Sequence, residues 1–278
     1  MKTIAIQGER GAFSEQAARK LFPDEHEILP CRTFDDAFAA VRDSRATAAV
    51  IPIENSLAGS VMRSYELLGE AHLEIAGEVL LRIGLNVIAR PGASLASLRR
   101  VLSHPVALAQ CQRFFAEHRE LEAIVAYDTA GSVKLMMEGN DPTEAAIAGT
   151  MAAELYGAEV LATNIEDNPE NYTRFVAIAT PSEAARLRSG LRSGPLKTTV
   201  LFRTPNKPGA LFRALAAFAL RDINLTKLES RPIAGRPWEY AFYVDLSGGE
   251  SDPGIANALN HLREMCEVVV LGSYAAAE

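Results

Sequence analysis

The chain has 278 residues, of which 48% are hydrophobic and 23% charged, with a formal net charge of -7. That length exceeds one small core and predicts two or three compact globular units. The acidic balance, with no Lys/Arg cluster among aromatics, argues against nucleic acid as a partner, and no apolar run reaches bilayer length, so no membrane is expected. Three isolated cysteines, Cys31, Cys111 and Cys266, form neither a disulfide framework nor metal-ligand spacing. The start, Met1 to Arg10, lacks the apolar core of a signal peptide. Together these features predict a reducing, cytoplasmic setting.

In chain order, Thr3 to Ile6 predicts a strand and Phe13 to Phe22 a helix, followed by an extended Glu27 to Cys31. Thr33, with Asp36 three residues on, has the form of a capping box opening a helix through Val41. Ala48 to Ile53 is an apolar strand. Leu85 to Ala89, Arg100 to Ser103, Ala123 to Tyr127 and Ala145 to Ala148 repeat the pattern with helical stretches between them. Such alternation implies an α/β region of mostly parallel sheets covered on both faces, with Leu80 to Ala89 placed to carry a crossover between two lobes.

From Pro181 to Pro195 the composition turns small and basic, as in linkers, with room for a short helix. A different order follows. Thr198 to Phe202 is a strand, Gly209 to Leu220 a helix, Leu225 to Arg231 and Tyr240 to Leu246 strands, Ile255 to Met265 a helix and Glu267 to Leu271 a strand. This is the βαββαβ order of ferredoxin-like domains. The helices carry apolar stripes: Leu211, Leu215, Phe218 and Ala219 in one, Ile255, Leu259 and Leu262 in the other.

Ligands of open α/β sheets lie beyond the carboxyl ends of the strands. There the chain offers Gly8, Gly11 and Ser14, then Pro52 to Ser56 with Gly59, then Ser103-His104-Pro105 and Asp128-Thr129-Ala130-Gly131-Ser132. The set is small and mostly uncharged, and several members open helices, whose free N–H groups favour anions. A small carboxylate-bearing ligand fits such a cleft. Any one of these loops alone is equally a turn or an N-cap. Gly8 to Gly11 does not complete a dinucleotide fingerprint, no P-loop is present, and no histidine pair has metal-ligand spacing, so neither cofactor nor metal is expected. A polar segment from Thr163 runs into Asn171-Tyr172-Thr173-Arg174-Phe175, which leads into the apolar strand Val176 to Ile178.

Taken in order, Gly11-Ala12-Phe13-Ser14, Pro52-Ile53-Glu54-Asn55-Ser56 with Gly59, Ser103-His104-Pro105 through Gln110-Cys111, Asp128-Thr129-Ala130 and Asn171-Tyr172-Thr173-Arg174-Phe175 resemble the motifs of prephenate dehydratases. The C-terminal part, with Gly209-Ala210-Leu211 and Ile223 to Pro232, resembles the ACT domain attached to those enzymes. The first loop departs from the usual Gly-Pro-x-Gly-Thr-Phe-Ser: here it reads Gly8-Glu9-Arg10-Gly11-Ala12-Phe13-Ser14, without the threonine.

The resemblance implies a two-lobed, periplasmic-binding-protein-like catalytic domain over 1–181, with lobe one about 1–79 and 160–181 and lobe two about 80–159. A linker over 182–196 and an ACT domain over 197–278 would follow. It implies conversion of prephenate to phenylpyruvate without cofactor or metal, allosteric regulation by L-phenylalanine, and a homodimer or homotetramer. Catalytic roles fall on Thr173, Arg174, Glu54, Asn55 and Ser56, with Thr173 beside the leaving hydroxyl and Arg174 on a carboxylate or bracing Glu54 or Asp128. Ser14, Gln110, Thr129 and Phe175 would contact substrate. Gly209, Ala210, Leu211, Asn224, Leu225, Glu229 and Ser230 would hold phenylalanine. Two alternatives stay open: an arogenate dehydratase, and a non-catalytic amino-acid sensor. A fusion with a mutase or dehydrogenase lacks the extra length and the nucleotide fingerprint.

Overall fold

The computed structural model describes residues 2–191, 194–233 and 235–277. The first elements are β1 (Lys2–Gln7), α1 (Phe13–Leu21), β2 (His26–Cys31), α2 (Phe34–Arg42), β3 (Ala48–Asn55), β4 (Gly59–Ser60), α3 (Met62–Glu70) and β5 (Glu74–Arg82). Next come β6 (Asn86–Ala89), β7 (Arg100–Ser103), α4 (Pro105–Ala109), α5 (Gln112–Glu117), β8 (Glu122–Val125), α6 (Thr129–Glu138), β9 (Glu144–Ala148), α7 (Thr150–Tyr156) and β10 (Glu159–Ala162). The chain continues with β11 (Tyr172–Ala179), α8 (Pro181–Gly190), β12 (Leu196–Thr204), α9 (Ala210–Ala219), β13 (Leu225–Ile233), β14 (Arg236–Ser247), α10 (Pro253–Arg263) and β15 (Glu267–Ala275).

The first lobe is a sheet of order β2-β1-β3-β11-β5 with the short β4 beside β3, and the second is a sheet of order β10-β6-β9-β7-β8. Both are open and mixed. β1 runs parallel to β2 and β3, and β7 parallel to β8 and β9, but β6 is antiparallel to both β9 and β10. The expectation of mostly parallel sheets holds for β1, β2 and β3 and for β7, β8 and β9, while β6 brings the crossover into the second sheet and runs against its neighbours. These two open sheets are the two α/β lobes that the sequence leads one to expect. The capping box is present, with Thr33 Oγ1 accepting from Asp36 N at 3.1 Å and Asp36 Oδ2 accepting from Thr33 N at 3.1 Å.

By contacts the chain forms two compact units, Val79–Phe175 with the residues up to Ser64 in one, and Tyr65–Glu78 with Val176 onward in the other. The second unit contains the ferredoxin-like sheet, order β13-β14-β12-β15. One face of that sheet packs Val200, Phe202, Phe242, Val244 and Leu246 against Ala214, Ala217 and Phe218 of α9 and Ile255, Leu259 and Leu262 of α10. In α9 the fully buried positions are Ala214, Ala217 and Phe218, with Leu215 only half-buried and Ala219 exposed; the two alanines let the helix lie close to the sheet.

The other face of the same sheet carries Tyr243, which donates to Tyr65 O at 2.6 Å, and a buried Thr199 that donates to Asp245 Oδ1 at 2.6 Å. Gly69 and Gly272 are glycines of necessity here. A Cβ would fall 2.5 Å from Tyr243 Oη in the first case and 2.4 Å from Ile75 O in the second. Lys197 pairs with buried Glu78 at 2.5 Å. Residues 65–78 thereby cover a sheet face that would otherwise meet water. The small, basic stretch after Pro181 is helical through Gly190, with Ala184 and Leu187 buried; residues 192 and 193 lie outside the described residues.

Candidate active site

A cavity of about 440 Å³ in the first unit is walled by residues from both lobes. Three helix starts contribute to it: Ala12, Phe13 and Ser14 at α1, His104, Val106 and Ala107 at α4, and Asp128 and Thr129 at α6. Each presents backbone N–H groups with no intrahelical partner, a setting that favours anionic groups. At α1 the cap residue is Ala12, which offers no side-chain acceptor and is instead buried in the apolar cluster of the second lobe. At α4, His104 Nδ1 accepts from Val106 N at 3.3 Å, so this histidine caps a helix.

Asn55, at the end of β3, is the hub of the polar wall. Its Oδ1 accepts from Leu57 N at 3.0 Å and Ala58 N at 2.8 Å, which fixes the amide orientation. Nδ2 therefore faces β11 and lies 2.9 Å from Thr173 Oγ1, 2.8 Å from Asn171 Oδ1 and 3.1 Å from Tyr172 O. Asn171 Nδ2 in turn donates to Gln110 Oε1 at 2.9 Å. Since Thr173 Oγ1 accepts from Asn55, its own proton is left for a partner in the cavity. The wall is made of amides and a hydroxyl, none of which titrates at ordinary pH.

The segment leading to Thr173 is pinned from several sides. Glu166, fully buried, pairs with Arg82 at 2.6 Å and accepts from Leu85 N at 2.8 Å. Asp167 caps α5, accepting from Gln112 N and Arg113 N at 2.9 Å each. Ser56 donates to Glu170 O at 2.9 Å and accepts from Tyr172 N at 3.0 Å. A loop with three asparagines is thereby held as firmly as a strand.

Of the residues expected in the site, Asn55, Thr173, Ser14, Gln110, Thr129 and Phe175 line the cavity together. Glu54, Ser56 and Arg174 are not among its lining residues. In a strand, neighbours alternate faces. With Thr173 and Phe175 turned to the cavity, Arg174 points to the opposite side of β11, and Glu54 is opposed to Ser60 across the β3–β4 ladder. In the second unit, Gly209 caps α9 with φ of 75°, Ala210 is buried beneath it, and Leu211 packs on the apolar cluster. Leu225, Glu229 and Ser230 lie on β13 at the sheet edge, and Asn224 precedes them, its carbonyl accepting from Ser247 N at 3.0 Å.

Glu15 escaped the sequence reading, in which Asp128 figures only as a strand-end motif residue and a brace for Arg174. Burial works against ionisation of Glu15, but hydrogen bonds from Arg10, Gly11 N and Arg19 prevail and hold its carboxyl at about 2. It ties down the loop before α1; arginines five residues before and four after were the available signal. Asp128 lines the cavity, caps α6 through Gly131 N at 2.7 Å, and has its carboxyl pushed up by burial. Among the described residues no group of His, Cys, Asp and Glu is placed to hold a metal ion, and no helix is long and apolar enough to cross a membrane.

A two-lobed α/β domain with an uncharged hydrogen-bonding wall in its cleft, followed by an ACT-type βαββαβ domain, defines a class of regulated small-molecule lyases. Family models match the chain as prephenate dehydratase over residues 4–183 and ACT domain over 198–264. An Arabidopsis thaliana protein named arogenate dehydratase/prephenate dehydratase 2, chloroplastic, is 43% identical over 98% of this chain and 72% of its own length. The structure of prephenate dehydratase from Arthrobacter aurescens in complex with L-Phe is 34% identical, with a TM-score of 0.88 over 99% of this chain and 90% of that one. A structure described as GqqA, a novel type of quorum quenching acylase, is 38% identical, with a TM-score of 0.87 over 99% and 98%. The chain belongs to the prephenate dehydratase family, with its ACT regulatory domain.

Proposed function

We propose that the chain converts prephenate to phenylpyruvate under control of L-phenylalanine. The observation that carries this reading is the Thr173 hydroxyl, held as an acceptor by Asn55 and so left to donate into a cavity ringed by helix N-termini. In the reaction the bond from the ring to its carboxylate breaks, releasing carbon dioxide. The electron pair enters the ring, and the opposite hydroxyl departs with one proton as water. Aromatisation drives the step, so the protein supplies orientation and a hydrogen bond that strengthens as the leaving oxygen gains charge.

In this reading Thr173 donates to the leaving oxygen. Ser14 and Thr129, at helix starts, meet the carboxylate that is retained, while Gln110 and Phe175 shape the wall. Asn55 positions Thr173. Glu54, Ser56 and Arg174 act from behind the wall, Ser56 through the 170–172 segment that it clamps. The catalytic domain spans 1–181, a linker 182–196 and the ACT domain 197–278, a division that the two family matches support.

Phenylalanine would bind against Gly209, Ala210, Leu211, Asn224, Leu225, Glu229 and Ser230, closed by a second copy across the β13 edge. The assembly is then a homodimer or homotetramer, working in the cytoplasm. Phenylalanine shifts a pre-existing balance between forms of the cleft. An acylase reading has less to rest on in this cavity: His104 is engaged as a helix cap, and no cysteine is among the lining residues.

The test is turnover of prephenate and of arogenate by purified protein, without nicotinamide or metal, with and without phenylalanine. Phenylpyruvate formed from prephenate and altered by phenylalanine is the expected result. Turnover of arogenate alone would reassign the substrate, and silence on both would leave the sensor.

A further inference from the structure

The loop after β1 reaches from the first lobe to the second, and its two ends are held differently. The far end is packed: a Cβ on Gly11 would fall 2.9 Å from Ala152 Cα, Ala12 is buried among second-lobe residues, and Tyr156 donates to Arg10 O at 3.1 Å. The end at the cavity has less cover. There Gly8 sits so close to Asp128 that a Cβ would lie 2.6 Å from Oδ2. Beside it Glu9 accepts from Tyr127 Oη and from Lys134 Nζ, both at 3.1 Å.

Tyr127 lines the cavity and is half-exposed, its ring lies so close to Gly131 that a Cβ there would fall 2.6 Å from Oη, and it leads directly into Asp128 and Thr129. We propose that Glu9 is a positioning residue that clasps the two lobes at the cavity, through Tyr127 and Lys134, and sets substrate affinity rather than the rate of the chemical step. Each partner fits the role. Burial, then Glu9, pushes the Tyr127 phenol up to about 12, so it stays a donor, and the hydrogen bond from Lys134 to Glu9 raises its ammonium pKa. A charge-assisted clasp between lobes favours the closed cleft, and weakening it lowers the fraction competent to bind.

The proposal rests on the catalytic reading, and its test separates the two. Glu9→Ala, Glu9→Gln and Tyr127→Phe are compared with the wild type by steady-state kinetics, on whichever of prephenate and arogenate the wild type turns over, and by hydrogen–deuterium exchange, which needs no turnover. Glu9→Ala is expected to raise KM about fivefold or more with kcat within about twofold, and to speed exchange over 127–134. Glu9→Gln, which keeps an acceptor for Tyr127, should recover part of the KM. Adding Tyr127→Phe to Glu9→Ala should change little further. Unchanged exchange over 127–134 in Glu9→Ala, or a fall in kcat at constant KM, would overturn the clasp; a silent wild type would count against the catalytic reading while exchange still reports on Glu9.

Discussion

The two compact units place charge differently around their cavities. The cavity of the first is walled by the neutral amides and hydroxyl of Asn55, Gln110 and Thr173, with Asp128 as its one carboxylate among the lining residues. The second unit encloses a larger cavity of about 680 Å³ edged by Glu70, Glu74, Glu267, Arg203 and Arg236, and its parts are joined by ion pairs. These include Lys197 with Glu78, Arg188 with Glu74, and Arg231 with Glu66. A wall that must receive an anion is best made of groups whose charge never changes. A unit whose parts must stay together tolerates charge, provided each buried one is paired.

The sharpest way to break this contrast is to strip a charge from the second unit. Lys197→Met removes the ammonium from Glu78, whose side chain is 1% exposed. The variant should lose about 3–5 kcal/mol of stability, read as a fall in the denaturation midpoint, while activity per folded molecule holds. Replacing Glu78 by Met as well should restore most of that loss. The converse is to put a charge into the first wall. Asn55→Asp withdraws the donor from Thr173 and adds an anion where an anion must bind, so kcat/KM should fall about a hundredfold, with the melting temperature lowered as well because the contacts to Asn171 Oδ1 and Tyr172 O are lost.

Smaller effects follow from titration. Glu15 has a folded pKa of about 2 against an ordinary value of 4.5. Its contribution is therefore fully present above pH 4.5 and is lost as pH falls from there towards 2. Stability followed by circular dichroism should fall as pH drops from 4.5 towards 2 in the wild type, and Glu15→Gln should flatten that limb while lowering stability at pH 7. Asp128 is the mirror case: its carboxyl is pushed up by burial, so its ionised form costs stability at neutral pH. Asp128→Asn keeps a cap for Gly131 and should leave the fold equally stable or firmer by about 1 kcal/mol or less, measured by thermal melting at pH 7.

Much of this was legible in the sequence because it is local. Short apolar runs gave the strands, the Thr33 and Asp36 pair gave the start of α2, and the βαββαβ order of the last third could be read element by element. What escaped depends on contacts distant in the chain. Nothing local in Gly69 or Gly272 says that each faces another backbone or ring, so the membership of residues 65–78 in the second unit was hidden. Of the stripe expected in α9, Phe218 is in the core and Leu211 packs on it, whereas close approach to the sheet selected Ala214 and Ala217 in place of Leu215 and Ala219.

In the site, Asn55, Thr173 and Gln110 were named as members of motifs, but the amide chain that joins them spans more than a hundred residues and no spacing reveals it. One signal was present and overlooked. Thr173, Arg174 and Phe175 are consecutive in a strand and alternate faces, so a cavity that takes the first and third leaves the second behind the sheet.

The central claim is that a neutral hydroxyl, oriented by Asn55, assists the departing oxygen. The measurement that meets it most directly is single-turnover decomposition of prephenate by Thr173→Ser and Thr173→Val beside the wild type. Serine keeps the donor and valine keeps only the shape. The account predicts that the serine variant stays within about tenfold of wild type and the valine variant falls by about a hundredfold or more, with unchanged melting. A valine variant that turns over at the wild-type rate would contradict it.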